Sequence, residues 1–140
     1  MSALRNRTIL PILLLAVSAA GTCAADGVVV IGNPNVKRLD GQTVARIYTG
    51  RVIEVDGVSI TAVNANRGSA VRDRFLQVFL NQDEDKYTAY WTVRRYIGKG
   101  ASPRELPKAS DVIRFVTTTP GAIGYIEEAD VQPGLNILLR

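Results

Sequence analysis

The hydrophobic positions fall into short runs of alternating type. Gly27-Val28-Val29-Val30-Ile31-Gly32 is continuously apolar, β-branched and bounded by glycines, which predicts a buried strand. Asn33-Pro34-Asn35 then signals a turn. From Asp40 to Tyr48, Val44, Ile47 and Tyr48 share one helical face, with Leu39 just ahead. Asp40 is placed to cap that helix and Gly50 to end it. Val52 to Val63 reads as extended chain folded at Asp56-Gly57, a hairpin signal, and its second arm, Val58 to Val63, alternates apolar and polar residues. Asn64 to Ser69 reads as a polar loop, after which Val71, Phe75, Val78 and Phe79 recur at helical spacing behind an N-cap at Ser69.

A third helix is predicted over about Asp83 to Ile97, with Tyr87, Tyr90, Trp91 and Arg94 on one face. Gly98 to Lys108 reads as a loop. Ser110 or Asp111 is placed to cap a fourth helix with Val112, Ile113 and Val116 inward, and Thr119-Pro120-Gly121 stops it. Ala122 to Ile126 reads as a short buried strand, and Pro133-Gly134 turns into a last strand over Leu135 to Leu139. Strands alternating with helices predict an α/β layer structure, a mainly parallel or mixed sheet flanked by helices. Ligands in such sheets bind beyond the carboxyl ends of strands, where the Asn64–Ser69 loop falls.

The first residues follow a different pattern. A basic stretch with Arg5 and Arg7 precedes an apolar run from Ile9 to Ala20, and small residues follow at Thr22-Cys23-Ala24-Ala25. This order is that of a secretory signal peptide, expected over residues 1–24 with the domain over 25–140. The run is shorter than the roughly 20 residues that span a bilayer. Cys23 would suit a lipoprotein, but Ala20-Gly21-Thr22 lacks the bulky aliphatic residue usual before such a cysteine. Cleavage would leave about 116 residues, with no cysteine, and lower the net charge from +4 to +2. That mild basicity gives no support for nucleic-acid binding. The expected product is a periplasmic domain with no membrane span after cleavage.

Composition narrows the chemistry. With no His in 140 residues and one Cys, the chain lacks the commonest general base and metal ligand, and neither a Ser/His/Asp nor a Cys/His constellation can be built. No catalytic residue, metal site or cofactor is expected. The most informative stretch is Arg67-Gly68-Ser69-Ala70-Val71. A helix start exposes unpaired N–H groups and a positive dipole end. Gly68 permits close backbone approach, the Ser69 hydroxyl can bond an anion, and Arg67 adds a planar cation. The bland reading is a serine cap beside a solvated arginine. Elsewhere, Asp83-Glu84-Asp85 reads as acids on a first helical turn, Glu127-Glu128 with Asp130 as a solvated turn, and Arg94-Arg95 as a solvated face. Tyr87, Tyr90 and Trp91 read as a core stripe or a stacking platform. Gly98-Lys99-Gly100 matches a phosphate loop only superficially.

Three stretches carry a family resemblance. Leu39 to Gly50, as Leu-x4-Val-x2-Ile-Tyr-x-Gly, resembles the helix and Ile-Phe-x-Gly segment of periplasmic phosphate-binding proteins. Asn64 to Phe75 resembles their Arg and Ser-Gly-Thr loop, and Thr119-Pro120-Gly121-Ala122-Ile123-Gly124-Tyr125 is very similar to their Thr-Pro-Gly-x-Ile-Gly-Tyr segment. The order and spacing also resemble the short, single-domain proteins labelled phosphate ABC transporter substrate-binding proteins. The resemblance implies a single lobe of a type II periplasmic-binding-protein fold. It implies a non-enzymatic oxyanion-binding module, with Arg67 and Ser69 as phosphate contacts and the backbone of Gly68, Ala70 and Val71 beside them. Ala70-Val71 stands where the family has Gly-Thr, which removes a hydroxyl, and the second lobe is absent. Weak phosphate binding is therefore expected, with a homodimer or an envelope partner completing the cleft. The alternative is a periplasmic protein-interaction module that kept the fold and lost transport-grade binding.

Overall fold

The computed structural model describes residues 27–140. The signal peptide expected over residues 1–24 lies outside them. Seven strands and four α-helices follow in the order β1 (Val28–Gly32), α1 (Gly41–Tyr48), β2 (Glu54–Val55), β3 (Val58–Ser59), β4 (Thr61–Ala65), α2 (Ala70–Phe75), α3 (Glu84–Tyr96), β5 (Arg104–Leu106), α4 (Ala109–Thr118), β6 (Ala122–Glu127) and β7 (Asn136–Leu139). A π-helical turn, Leu76–Leu80, continues α2, and a 3₁₀ turn, Glu128–Asp130, follows β6.

The main sheet has the order β5-β4-β6-β1-β7. Strands β5, β4 and β6 are parallel, and β1 runs antiparallel to both β6 and β7, so the sheet is mixed. Helices cover both faces, because β1 is buried along its whole length. Val28 and Val30 pack with Val44, Ile47, Tyr48, Phe75, Leu76, Tyr87 and Trp91 of α1, α2 with its π turn, and α3. Val29 and Ile31 pack with Val112 and Val116 of α4. A strand buried on both faces needs the unbroken apolar run seen in the sequence.

Local signals explain most boundaries. Asp40, Ser69 and Asp83 each accept a hydrogen bond from the backbone N–H three residues on. Asp56 and Gly57 both have positive φ, which closes the β2–β3 hairpin. The Thr-Pro-Gly-Ala-Ile-Gly-Tyr segment is built for packing. A Cβ on Gly121 would lie 1.9 Å from the Ser59 carbonyl oxygen, and one on Gly124 would lie 2.5 Å from Val112. Only glycine lets the α4–β6 corner meet the end of β3 and lets α4 settle on β6.

Five expectations are corrected. The alternating arm Val58 to Val63 divides at Ile60, because β3 pairs with β2 while β4 joins the main sheet. Asn64 and Ala65 belong to β4 and are buried, so the link to α2 is Asn66 to Ser69. The Gly98–Lys108 stretch contains β5, an edge strand against β4. Its Arg-Glu-Leu sequence lacks the apolar alternation that marks a strand, since only Leu106 packs on the core while Glu105 pairs with Arg72 and Arg104 lies over Phe115. Helix α4 starts at Ala109 behind Lys108, which makes no side-chain cap bond, so Ser110 and Asp111 are inside the first turn. Val78 is 65% exposed, while Leu76 takes the buried position. The π turn carries an extra residue per hydrogen-bonded loop and shifts the register of the inward face.

Candidate functional site

The residues of the expected cradle form the start of α2. Ser69 has extended backbone, and its Oγ donates to the Asn66 carbonyl at 2.7 Å and accepts from Arg72 N–H at 3.4 Å. Gly68 has φ +86 and no neighbour within 4 Å of where a Cβ would stand, so the space above it is open. Arg67 has a side chain 61% exposed, and its Nε lies 3.1 Å from Glu84 Oε1. The Arg67 backbone N–H donates to Glu105 Oε1 at 3.2 Å. Ala70 is exposed and Val71 half-buried.

Beneath this surface lies a polar centre that the sequence did not reveal. Arg72 is buried, its side chain 4% exposed. It holds Glu84 through two parallel bonds, Nε to Oε2 at 2.8 Å and Nη2 to Oε1 at 2.7 Å. Its Nη1 donates to Glu105 and to the Ala65 carbonyl, and its guanidinium lies 5.6 Å from the centre of the Tyr87 ring. Burial lowers the pKa of Arg72, but its bonds to Glu84 and the charges of Glu84, Tyr125 and Glu105 more than offset this, and the net shift is upward. Arg72 thus has its donors engaged by protein groups. A bidentate buried pair of this kind is costly to break from one side, at about 3–5 kcal/mol.

Asn64 extends the centre into the core. Tyr125 Oη donates to Asn64 Oδ1 at 3.1 Å and accepts from Ala65 N–H at 3.0 Å. Asn64 Nδ2 donates to Tyr87 Oη at 3.2 Å, which itself donates to the Tyr48 carbonyl at 3.0 Å. Trp91 Nε1 reaches the same carbonyl at 3.2 Å, and Tyr48 Oη donates to the Val63 carbonyl at 2.9 Å. Burial raises the pKa of all three tyrosines. For Tyr48 the neighbouring phenols add to this, and for Tyr125 the Ala65 N–H and Arg72 only partly oppose it.

Two cavities flank the helix start and divide the expected cradle between them. The larger, about 470 Å³, is lined by Arg67, Arg72, Tyr87, Thr88, Trp91, Thr92, Arg95, Tyr96 and Ser102, that is, by the link, α3 and the loop after it. The smaller, about 200 Å³, lies at the carboxyl ends of β4, β5 and β6 and between the starts of α2 and α4. Ser69, Ala70, Val71, Lys108, Glu127 and Asp130 are among its walls. Arg67 therefore opens on one concavity and Ser69, Ala70 and Val71 on the other, with Gly68 between them. Candidate anion contacts close in sequence are set on opposite sides of one backbone link.

The remaining candidates resolve in different ways. Asp83 caps α3 and Asp85 is exposed, but Glu84 leaves the acidic run to bind Arg72. Tyr87 and Trp91 are core, and Tyr90 donates to the Thr49 carbonyl at 2.7 Å. Arg94 is half-buried over Tyr90 and Trp91, at 5.5 and 5.7 Å, whereas Arg95 is exposed; the pair is not one solvated face. Gly98-Lys99-Gly100 follows the carboxyl end of α3, where the helix dipole is negative, the wrong end for a phosphate. Arg72, Glu84, Glu105 and Asn64 escaped sequence reading because their partners are distant along the chain.

Comparison with known proteins agrees with this architecture. No family model matches the chain, and no curated protein matches its sequence. Among solved structures, the fold is that of the periplasmic binding proteins. A protein from Clostridium perfringens assigned as a phosphate ABC transporter substrate-binding protein, solved with bound phosphate, superimposes with TM-score 0.62 at 22% identity over 81% of this chain and 44% of its own. An ABC-type phosphate transport receptor from Vibrio cholerae gives TM-score 0.55 at 16% identity, covering 81% and 45%. PstS from Borrelia burgdorferi gives 0.60 at 19%, covering 81% and 47%. The chain thus spans less than half the length of each of these three structures. The fold resemblance expected from the sequence is borne out, and the first two neighbours are described as phosphate transport proteins. No helix among the described residues is long and apolar enough to cross a membrane.

Proposed function

We propose that the protein is an exported, non-enzymatic module that binds phosphate-like oxyanions at the Arg67–Val71 helix start. The observation that carries this reading is the position of that start. It stands at the carboxyl ends of three parallel strands, in a fold shared with a structure that holds phosphate. Gly68 leaves open space above the backbone, and the N–H groups of Ala70 and Val71, which stand ahead of the capped Arg72 N–H, supply the donors. The basic, apolar and small residues over 1–24 support export to the periplasm.

The charge balance sets the expected strength. Glu84 already engages Arg67, and Glu127 and Asp130 share the smaller cavity with Lys108. With donors facing water on one side, binding is expected near a millimolar Kd, about −4 kcal/mol. A second copy of the chain or an envelope partner would complete the cleft. Titration of the protein with inorganic phosphate, followed by amide shifts, tests the reading. Saturable shifts at Gly68 to Val71 are expected. None at tens of millimolar phosphate would refute it, and sedimentation with and without phosphate would show whether a dimer closes the site.

A further inference from the structure

The larger cavity lies apart from the backbone donors of the helix start and differs from them in chemistry. Three arginines and no carboxylate stand in its wall. Arg72 is consumed by Glu84 and Glu105, but the other two have capacity to spare. Arg67 approaches Glu84 most closely through Nε, and its terminal amino groups make no hydrogen bond among the described residues. Arg95 is exposed and makes no ion pair among the described residues. Ser102 adds a hydroxyl, whereas Thr88 and Thr92 donate theirs to Glu84 and to the Thr88 carbonyl. Tyr96 stands at the edge, 91% exposed, an aromatic ring with almost nothing of the protein against it.

The cavity has room for more than a bare oxyanion. The cavity holds about 470 Å³, within the range of roughly 300–1,000 Å³ usual for organic ligands. A tetrahedral anion of five heavy atoms fills a small part of it. We propose that this cavity binds a phosphate monoester of a flat ring compound, the phosphate held between Arg67 and Arg95 and the ring laid against Tyr96. Guanidinium forks suit phosphate oxygens, and an exposed aromatic face suits a planar ring. The inference adds a second, organic ligand to the module and does not require that inorganic phosphate bind at Gly68 to Val71.

Trp91 is the sole tryptophan and lines the cavity, so its fluorescence responds to occupancy there. Phenyl phosphate is the probe, with inorganic phosphate and phenol as partial ligands. A saturable change in Trp91 emission is expected with phenyl phosphate, at a Kd about tenfold below that of either partial ligand. Arg95→Gln should weaken phenyl phosphate about tenfold. Tyr96→Ala should weaken it several-fold and leave inorganic phosphate unaffected. Both positions are exposed, so circular dichroism should be unchanged in both variants. The proposal is overturned if phenyl phosphate gives no saturable change at tens of millimolar. It is equally overturned if phenol binds as tightly, or if both variants bind phenyl phosphate as the parent does. Amide shifts at Gly68 to Val71 with inorganic phosphate report the helix-start reading separately, so either can fail while the other stands.

Discussion

On one side of the Asn66–Ser69 link, Arg67, Arg72 and Arg95 line the larger cavity without a carboxylate; on the other, Lys108 shares the smaller cavity with Glu127 and Asp130. Arg67 and Arg72 sharpen the contrast, because they are the same residue type five positions apart. Arg72 is buried and held by two carboxylates and a carbonyl, so it organises the fold. Arg67 is exposed and singly held, so it is free to meet something else. Proximity to a helix start does not make an arginine an anion contact. What decides is how many of its donors the protein has already used.

The comparison can be broken by substitution. The largest effect is expected at Arg72→Leu, which strands Glu84 and Glu105 and should cost about 3–5 kcal/mol in urea unfolding. A loss below about 1 kcal/mol would show that the centre does not hold the fold. Next comes alkaline pH. Tyr48, Tyr87 and Tyr125 have pKa values raised by burial, whereas in the unfolded chain their phenols ionise near 10.0. The unfolded state therefore binds fewer protons above that pH, and the stability present below it is lost as pH rises towards the folded values. The slope is about 1.4 kcal/mol per pH unit for each hydroxyl that stays protonated in the fold. Unfolding curves between pH 9 and 11, as approximate bounds, check the sign. Tyr125→Phe leaves Asn64 Oδ1 and the Ala65 N–H unpaired and should cost about 1–3 kcal/mol, with little change in anion titrations. The smallest effect is expected at Arg67→Ala. Its loss should shift stability by less than about 1 kcal/mol, yet weaken anion binding measurably.

The same contrast separates what was legible in the sequence from what was not. Caps at Asp40, Ser69 and Asp83 and the turn at Asp56-Gly57 are local devices, and each acts within three residues of itself. The apolar run of β1 encodes burial on both faces directly. Arg72 looked like any polar residue on an amphipathic helix, because Glu84 and Glu105 lie 12 and 33 residues away. β5 was hidden for a related reason, since its pairing with β4 is a property of the partner and not of Arg104-Glu105-Leu106. At the helix start, the sequence marked candidate anion contacts, but their division between two cavities follows from backbone direction, which composition does not express.

The central strand carries a consequence for how the chain folds. β1 has two neighbours in the sheet, β6 and β7, and Val28 pairs with Glu127 roughly a hundred residues later. Contacts of such sequence separation form slowly, because a long loop must close before any of its burial is realised. Synthesis must therefore deliver the chain past Ala122 before β1 has a partner. Until then the run Val28 to Ile31 stays exposed and open to wrong pairing. The strand that makes the folded core is also what keeps a partly delivered chain unfolded, the state in which a polypeptide can be threaded or held by a chaperone.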